Sequence, residues 1–311
     1  MCLAATAPFF LPDSFPMIKL QGIYPPIATP FNHSGDLYKV KVQHNVEKLN
    51  RVNLSGYVVC GSTGESVMLT AEEKLQMFEW VAQFAKPGKQ LLCGTGVESV
   101  RETVSLTNKA AEMGYVAAMV RTPHYYKNLV SSVEAQVRYF RAVADQSKIP
   151  VMIYNWPQAT GVDIAAEAVV MLSEHPNIVA IKESSGNLEK LMRMIREVKT
   201  GFQVLSGSAP TLYPSLKVGA VGAVLAFANA APYACVTIWE AFRTREEEAG
   251  MDWQSRIANP AALVTVKYGI PGLKYAMDLN GYYGGLPRLP LIPVSPEVRL
   301  ELEAAFDGMK G

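Results

Sequence analysis

Two residues, each closing an apolar run, could do chemistry together. Tyr154 stands in Pro150-Val151-Met152-Ile153-Tyr154-Asn155-Trp156-Pro157, and Lys182 ends Asn177-Ile178-Val179-Ala180-Ile181-Lys182. A lysine at the end of a buried run is costly unless it has a use. Desolvation lowers its pKa and frees a neutral amine, which attacks carbonyl carbon. A phenol on the adjoining run end can exchange a proton with a hydroxyl placed beside it. Singly, each residue has a plainer reading, a snorkelling lysine and a core tyrosine. Their placement on successive run ends joins them.

Both runs read as buried parallel strands, and Ile164–Glu174 carries the helical spacing of a crossover helix between them. That is one βαβ unit. The same alternation extends from residue 22 to 226. Strands are expected at 21–31, 56–60, 90–94, 115–120, 150–157, 177–182, 202–206 and 223–226. Helices are expected at 38–49, 71–84, 100–113, 132–145, 188–198 and 210–216. Eight strands, most separated by a helix, predict an α/β fold, a (β/α)8 TIM barrel, whose C-terminal strand ends form the active-site rim. A doubly wound sheet would call for a glycine fingerprint after the first strand, and none is there. From Pro232 the strand pattern stops. Helices at 234–249, 254–267, 272–279 and 296–306 predict a C-terminal α-helical extension. The expected division is 1–16 as an extension outside the fold, 17–230 as the catalytic barrel and 231–311 as the helical region.

Composition narrows the class. Of 311 residues, 49% are hydrophobic and 18% charged, and the net charge of +1 offers no footprint for nucleic acid. No apolar run reaches the length of a membrane span, and residues 1–16 lack a signal-peptide pattern. Cys2, Cys60, Cys93 and Cys235 show no zinc spacing and read as free thiols in a reducing cytosol, so a cytoplasmic protein is expected. His33, His44, His124 and His175 form no ligand cluster, and no metal is expected. No histidine accompanies a glycine-flanked serine at a strand end.

Three loops add polar groups to the rim. Gly61-Ser62-Thr63-Gly64 follows the second strand; its hydroxyls and turn N–H groups could hold a carboxylate, or it is an ordinary turn. Gly207-Ser208 follows the seventh strand. Thr122-Pro123-His124-Tyr125-Tyr126 follows the fourth.

Together these segments resemble the dihydrodipicolinate synthase/N-acetylneuraminate lyase family of class I aldolases, from about Gly22 to the C-terminus. Gly61-Ser62-Thr63-Gly64-Glu65 is similar to its carboxylate loop, Tyr154-Asn155-Trp156-Pro157 to its tyrosine motif, and Ile181-Lys182-Glu183-Ser184-Ser185-Gly186 to its Schiff-base lysine motif. Gly219–Val224 resembles the strand-eight segment beside the substrate. The resemblance implies Lys182, Tyr154, Thr63 and Tyr125 as catalytic residues. It implies Gly61, Ser62, Thr63, Gly64, Ser184, Gly207 and Val224 as substrate-binding residues. It also implies pyruvate and an aldehyde as substrates, no cofactor beyond a covalent Schiff base on Lys182, and a homotetramer in which Tyr125 reaches a neighbouring site. In dihydrodipicolinate synthases an arginine follows the tyrosine motif; Ala159 stands there here. Gly22-Ile23-Tyr24-Pro25-Pro26, Gly269–Lys274 and Gly281–Gly285 look most like the 4-hydroxy-2-oxoglutarate aldolase branch. Cleavage of 4-hydroxy-2-oxoglutarate to pyruvate and glyoxylate is therefore the expected reaction. The alternatives are dihydrodipicolinate synthase, N-acetylneuraminate lyase, a 2-keto-3-deoxy sugar acid aldolase, or a non-catalytic sensor of 2-oxo acids.

Overall fold

The structure is a computed structural model that describes residues 18–309. The expectations placed on residues 1–16, and Cys2 with them, lie outside the described residues.

Eight strands form one parallel sheet: β1 (Gly22–Tyr24), β2 (Gly56–Val59), β3 (Gln90–Gly94), β4 (Ala117–Arg121), β5 (Val151–Asn155), β6 (Ile178–Glu183), β7 (Gln203–Ser206) and β8 (Gly222–Val224). β1 pairs with β8. The sheet closes between β1 and β2 just beyond β1, where Pro26 bridges Val58, the Val58 N–H donates to the Pro25 carbonyl and the Ile27 N–H to the Val58 carbonyl. This is a TIM barrel. The first strand was expected to run to Phe31. Prolines 25, 26 and 30 lack the N–H that a continuous ladder needs, so pairing narrows to that one bridge.

Helices α1 (Lys39–Leu49), α2 (Ala71–Phe84), α3 (Val100–Glu112), α4 (Val133–Ala144), α5 (Ala166–Ser173), α6 (Leu188–Glu197) and α7 (Leu212–Lys217) separate successive strands. Most begin where the sequence offers a cap. Thr70 and Glu73 form a reciprocal capping box, and Ser99, Ser132 and Asn187 each accept from an N–H of the first turn.

Strand alternation separates two cores. Val58, Leu92, Ala117, Met119, Met152, Ala180, Leu205 and Val224 point into the barrel with Tyr24 and Tyr154. Their neighbours Val59, Cys93, Ala118, Val120, Ile153, Ile181 and Val204 pack outward against the helices. This parity aims Tyr154 and Lys182 at the barrel axis.

After β8 the chain is helical: α8 (Pro232–Thr244), α9 (Glu247–Ala262), α10 (Gly269–Leu279) and α11 (Pro296–Ala305). The helix expected over 234–249 is broken at Arg245, whose φ of 63° is left-handed. α9 then continues through 263–267 as a π-helical turn. Among the described residues no helix is long and apolar enough to cross a membrane.

Candidate active site

Tyr154 and Lys182 are direct register partners across β5 and β6. Both are about one-twentieth exposed, and the Lys182 Nζ lies 4.1 Å from the centre of the Tyr154 ring. Burial lowers the Lys182 pKa to about 7. Burial also pushes the Tyr154 phenol up to about 12, opposed by the nearby Ser62 hydroxyl, the Arg121 charge and the Ser184 hydroxyl, in that order. The resting pair is thus a phenol beside an amine that is half neutral near pH 7.

Two other lysines are buried among the described residues, and neither is available. Lys74 sits on α2, outside the barrel. Lys274 is paired with Glu65 at 2.6 Å and also donates to the Thr29 and Leu286 carbonyls. The Lys182 side chain makes no hydrogen bond or ion pair among the described residues.

The neighbours of the pair hold it in place. Asn155, one residue after Tyr154, donates through Nδ2 to both Glu183 oxygens at 3.2 and 2.9 Å and to Asp163 at 2.8 Å. Its Oδ1 accepts from the Ile164 N–H. Glu183, one residue after Lys182, also accepts from the Ser185 N–H at 2.7 Å. The ends of β5 and β6 are clamped from behind by groups that leave the barrel mouth free.

Gly207 provides room. A Cβ there would overlap the Ser184 hydroxyl and lie 3.0 Å from Lys182 Cε. Ser184 Oγ is buried and has no hydrogen-bond partner among the described residues. Val224 is buried and points into the barrel interior.

The loop after β2 opens with a 3-10 turn, Ser62–Gly64, between two left-handed non-glycine residues, Cys60 (φ 57°) and Glu65 (φ 55°), and a second 3-10 turn, Ser66–Met68, follows. Such backbone persists only where the surroundings impose it. Gly64 is required by close approach, since a Cβ would sit 2.7 Å from the Ile27 carbonyl oxygen. The Gly64 and Glu65 N–H groups are used within the turn, donating to the Gly61 and Ser62 carbonyls. Those of Ser62 and Thr63 donate to nothing among the described residues, so they can serve a carboxylate.

Thr63 is buried, but no hydrogen bond joins it to Tyr154; the hydroxyls beside the phenol are Ser62 and Ser184. Tyr125 lies on the surface, 77% exposed, edge-on to Tyr126. The structure therefore gathers Lys182, Tyr154, Ser62, Ser184 and Gly207 within one chain and leaves Tyr125 outside that group.

A cavity of about 270 Å³ opens beside Tyr154, lined by Ser62, Arg121, His124, Tyr154, Trp156 and Ala159 among others. Sequence reading passed over Arg121, Trp156, Asn155 and Glu183. Arg121 could have been found by parity, since 117, 119 and 121 share the inward face, had β4 been read one residue further.

The Dihydrodipicolinate synthetase family profile matches residues 19–308. The chain belongs to that family. It is 36% identical to a 4-hydroxy-tetrahydrodipicolinate synthase of Methanothrix thermoacetophila, over 93% of this chain and 97% of that one. It is 35% identical to a protein of Emericella nidulans named "Probable 4-hydroxy-2-oxoglutarate aldolase, mitochondrial", over 92% and 93%. A dihydrodipicolinate synthase of Acinetobacter baumannii complexed with pyruvate superimposes with a TM-score of 0.88 at 29% identity, covering 94% and 99% of the two chains. As a member of the dihydrodipicolinate synthetase family the protein is a carbon–carbon lyase of the aldolase type, acting on small molecules. Near-equal identity to a synthase and to an aldolase leaves the substrate to the site itself.

Proposed function

We propose that this enzyme cleaves 4-hydroxy-2-oxoglutarate to pyruvate and glyoxylate through a Schiff base on Lys182, with no further cofactor. The observation that carries the reading is a buried amine without a counter-charge, beside the Tyr154 phenol.

The neutral Lys182 amine attacks C2 of the 2-oxo acid. The C2 oxygen leaves as water, taking a proton from Tyr154, and an iminium forms. The high pKa of Tyr154 means that it starts protonated and that the phenolate left behind is a strong base. The phenolate takes the C4 hydroxyl proton. The C3–C4 electrons flow into the iminium, glyoxylate departs and an enamine of pyruvate remains. Protonation at C3 and hydrolysis release pyruvate and the free amine. The Ser62 and Thr63 N–H groups hold the C1 carboxylate throughout. An exposed Tyr125 suits donation to a neighbouring subunit's site, within a homotetramer.

Ala159, lining the cavity where the synthase resemblance implies an arginine, supports glyoxylate over aspartate semialdehyde as the aldehyde. The name of the Methanothrix relative favours the second reading, condensation of pyruvate with aspartate semialdehyde. Measuring kcat/KM for both aldehydes with pyruvate in excess separates them. Preference for glyoxylate is expected; preference for aspartate semialdehyde overturns it.

A further inference from the structure

Arg121 ends β4 and is the register partner of Tyr154, as Lys182 is on the other side. Ala117 and Met119 of the same strand point into the barrel, so Arg121 does too. The rim row therefore reads Arg121, Tyr154, Lys182 across three adjacent strands. The Arg121 side chain is 13% exposed and lines the same cavity as Tyr154 and Ala159.

Its hydrogen bonds are one-sided. Nη1 reaches the Thr122 carbonyl oxygen at 3.4 Å, Glu98 Oε1 at 3.5 Å and His124 Nδ1 at 2.6 Å. Nε is buried and has no partner. Every hydrogen bond that the guanidinium makes among the described residues leaves from Nη1. Glu98 is about half exposed and committed to the loop, accepting from the His124 and Tyr125 N–H groups at 3.0 and 3.1 Å. A guanidinium whose Nη2 is unused at the wall of a largely apolar cavity is matched by a carboxylate, which accepts a charge-assisted hydrogen bond there.

We infer that Arg121 is the specificity-determining anchor for a carboxylate on the aldehyde half of the substrate. This rests on the retro-aldol reading above and names the substrate class: 2-oxo acids with a second carboxylate on or next to C4. The geometry follows from the row. Lys182 fixes C2 and Tyr154 serves the C4 hydroxyl. A carboxylate attached at C4 is one bond beyond the carbon whose hydroxyl Tyr154 serves, and Arg121 stands on the side of Tyr154 away from Lys182. The cation that Ala159 does not supply from the loop after β5 is supplied from β4.

The test compares 2-oxoglutarate with 2-oxopentanoate, which has a methyl group in place of the distal carboxylate. Calorimetric titration reads their affinities without requiring a covalent bond. The wild type should bind 2-oxoglutarate about tenfold or more tightly than 2-oxopentanoate, the scale of one lost charged partner. Arg121→Met should abolish that preference yet still be labelled on Lys182 by pyruvate and borohydride. Glu98→Gln, which removes the loop contact and keeps the guanidinium, should retain the preference. No preference in the wild type overturns the assignment, as does its persistence in Arg121→Met or its loss in Glu98→Gln. An equal loss of both ligands together with pyruvate labelling in Arg121→Met also overturns it, by marking a structural role. Absence of pyruvate labelling in the wild type would instead sink the Schiff-base reading, and the two affinities would still decide Arg121.

Discussion

Tyr154 and Lys182 face each other in register across β5 and β6, with the lysine amine 4.1 Å from the centre of the phenol ring. Neither has an ionic partner among the described residues, and burial, the largest influence on both, acts in opposite directions, lowering the amine's pKa and raising the phenol's.

The first prediction concerns pH. The amine must be neutral to attack, and burial lowers its pKa to about 7. Labelling by pyruvate and cyanoborohydride should rise about tenfold per pH unit below 7 and level off above it. A rise continuing toward pH 10 would mean an ordinary lysine. Stability carries the same signature. Between about 7 and 10.5 the unfolded chain binds a proton that the folded one lacks, so this lysine makes stability increase with pH across that window. Lys182→Met should flatten that slope and eliminate labelling.

Gly207 gives a second prediction. A methyl group there would meet the Ser184 hydroxyl and stand 3.0 Å from Lys182 Cε, tighter than ordinary packing. Gly207→Ala should slow pyruvate labelling of Lys182 about tenfold to a hundredfold, the scale of a small misplacement of reacting groups. The melting temperature should move less than it does for a core truncation. Wild-type labelling rates in this variant would show that Lys182 does not depend on that space.

Much of this arrangement could be read from residue order, for identifiable reasons. Buried parallel strands are near-continuous apolar runs, so Val151–Ile153 and Ile178–Ile181 stand out, and the residues closing them fall on the rim. Arg121 did not stand out because a charged residue after Val120 reads as the start of a loop. The break at Arg245 has no glycine to mark it, and the charged stretch Arg245–Glu248 continues a helical face. The Glu65–Lys274 pair was hidden because it joins the loop after β2 to α10, and only the fold brings them together.

That pair supports a third prediction. Glu65 and Lys274 are at most 2% exposed and 2.6 Å apart, and the Glu65 carboxylate also accepts from the Arg288 N–H. The ion pair ties the C-terminal helices to the end of the carboxylate loop. Lys274→Met leaves a buried carboxylate unpaired and should cost about 3–5 kcal/mol in denaturant unfolding. The double variant Glu65→Gln/Lys274→Met should recover a large part of that. A single variant as stable as wild type would show that the charge is not enclosed.

The last prediction tests the reach between subunits. Tyr125 and Tyr126 are 77% and 67% exposed, and Leu129 beside them is 74% exposed. An aromatic and aliphatic cluster of this kind is the surface that a second copy would cover. If the Tyr125 hydroxyl serves proton transfer in a neighbouring site, Tyr125→Phe should lower kcat strongly and leave pyruvate labelling of Lys182 nearly intact. Mixing inactive Tyr125→Phe and Lys182→Ala subunits, with exchange verified, then separates the geometries. If Tyr125 serves the partner's site, each mixed dimer holds one centre with both defects and one with neither, and activity returns to about half per mixed dimer by symmetry. A mixture that stays inactive, or a dilute monomer that keeps full activity, would place Tyr125 in its own chain's site or outside catalysis.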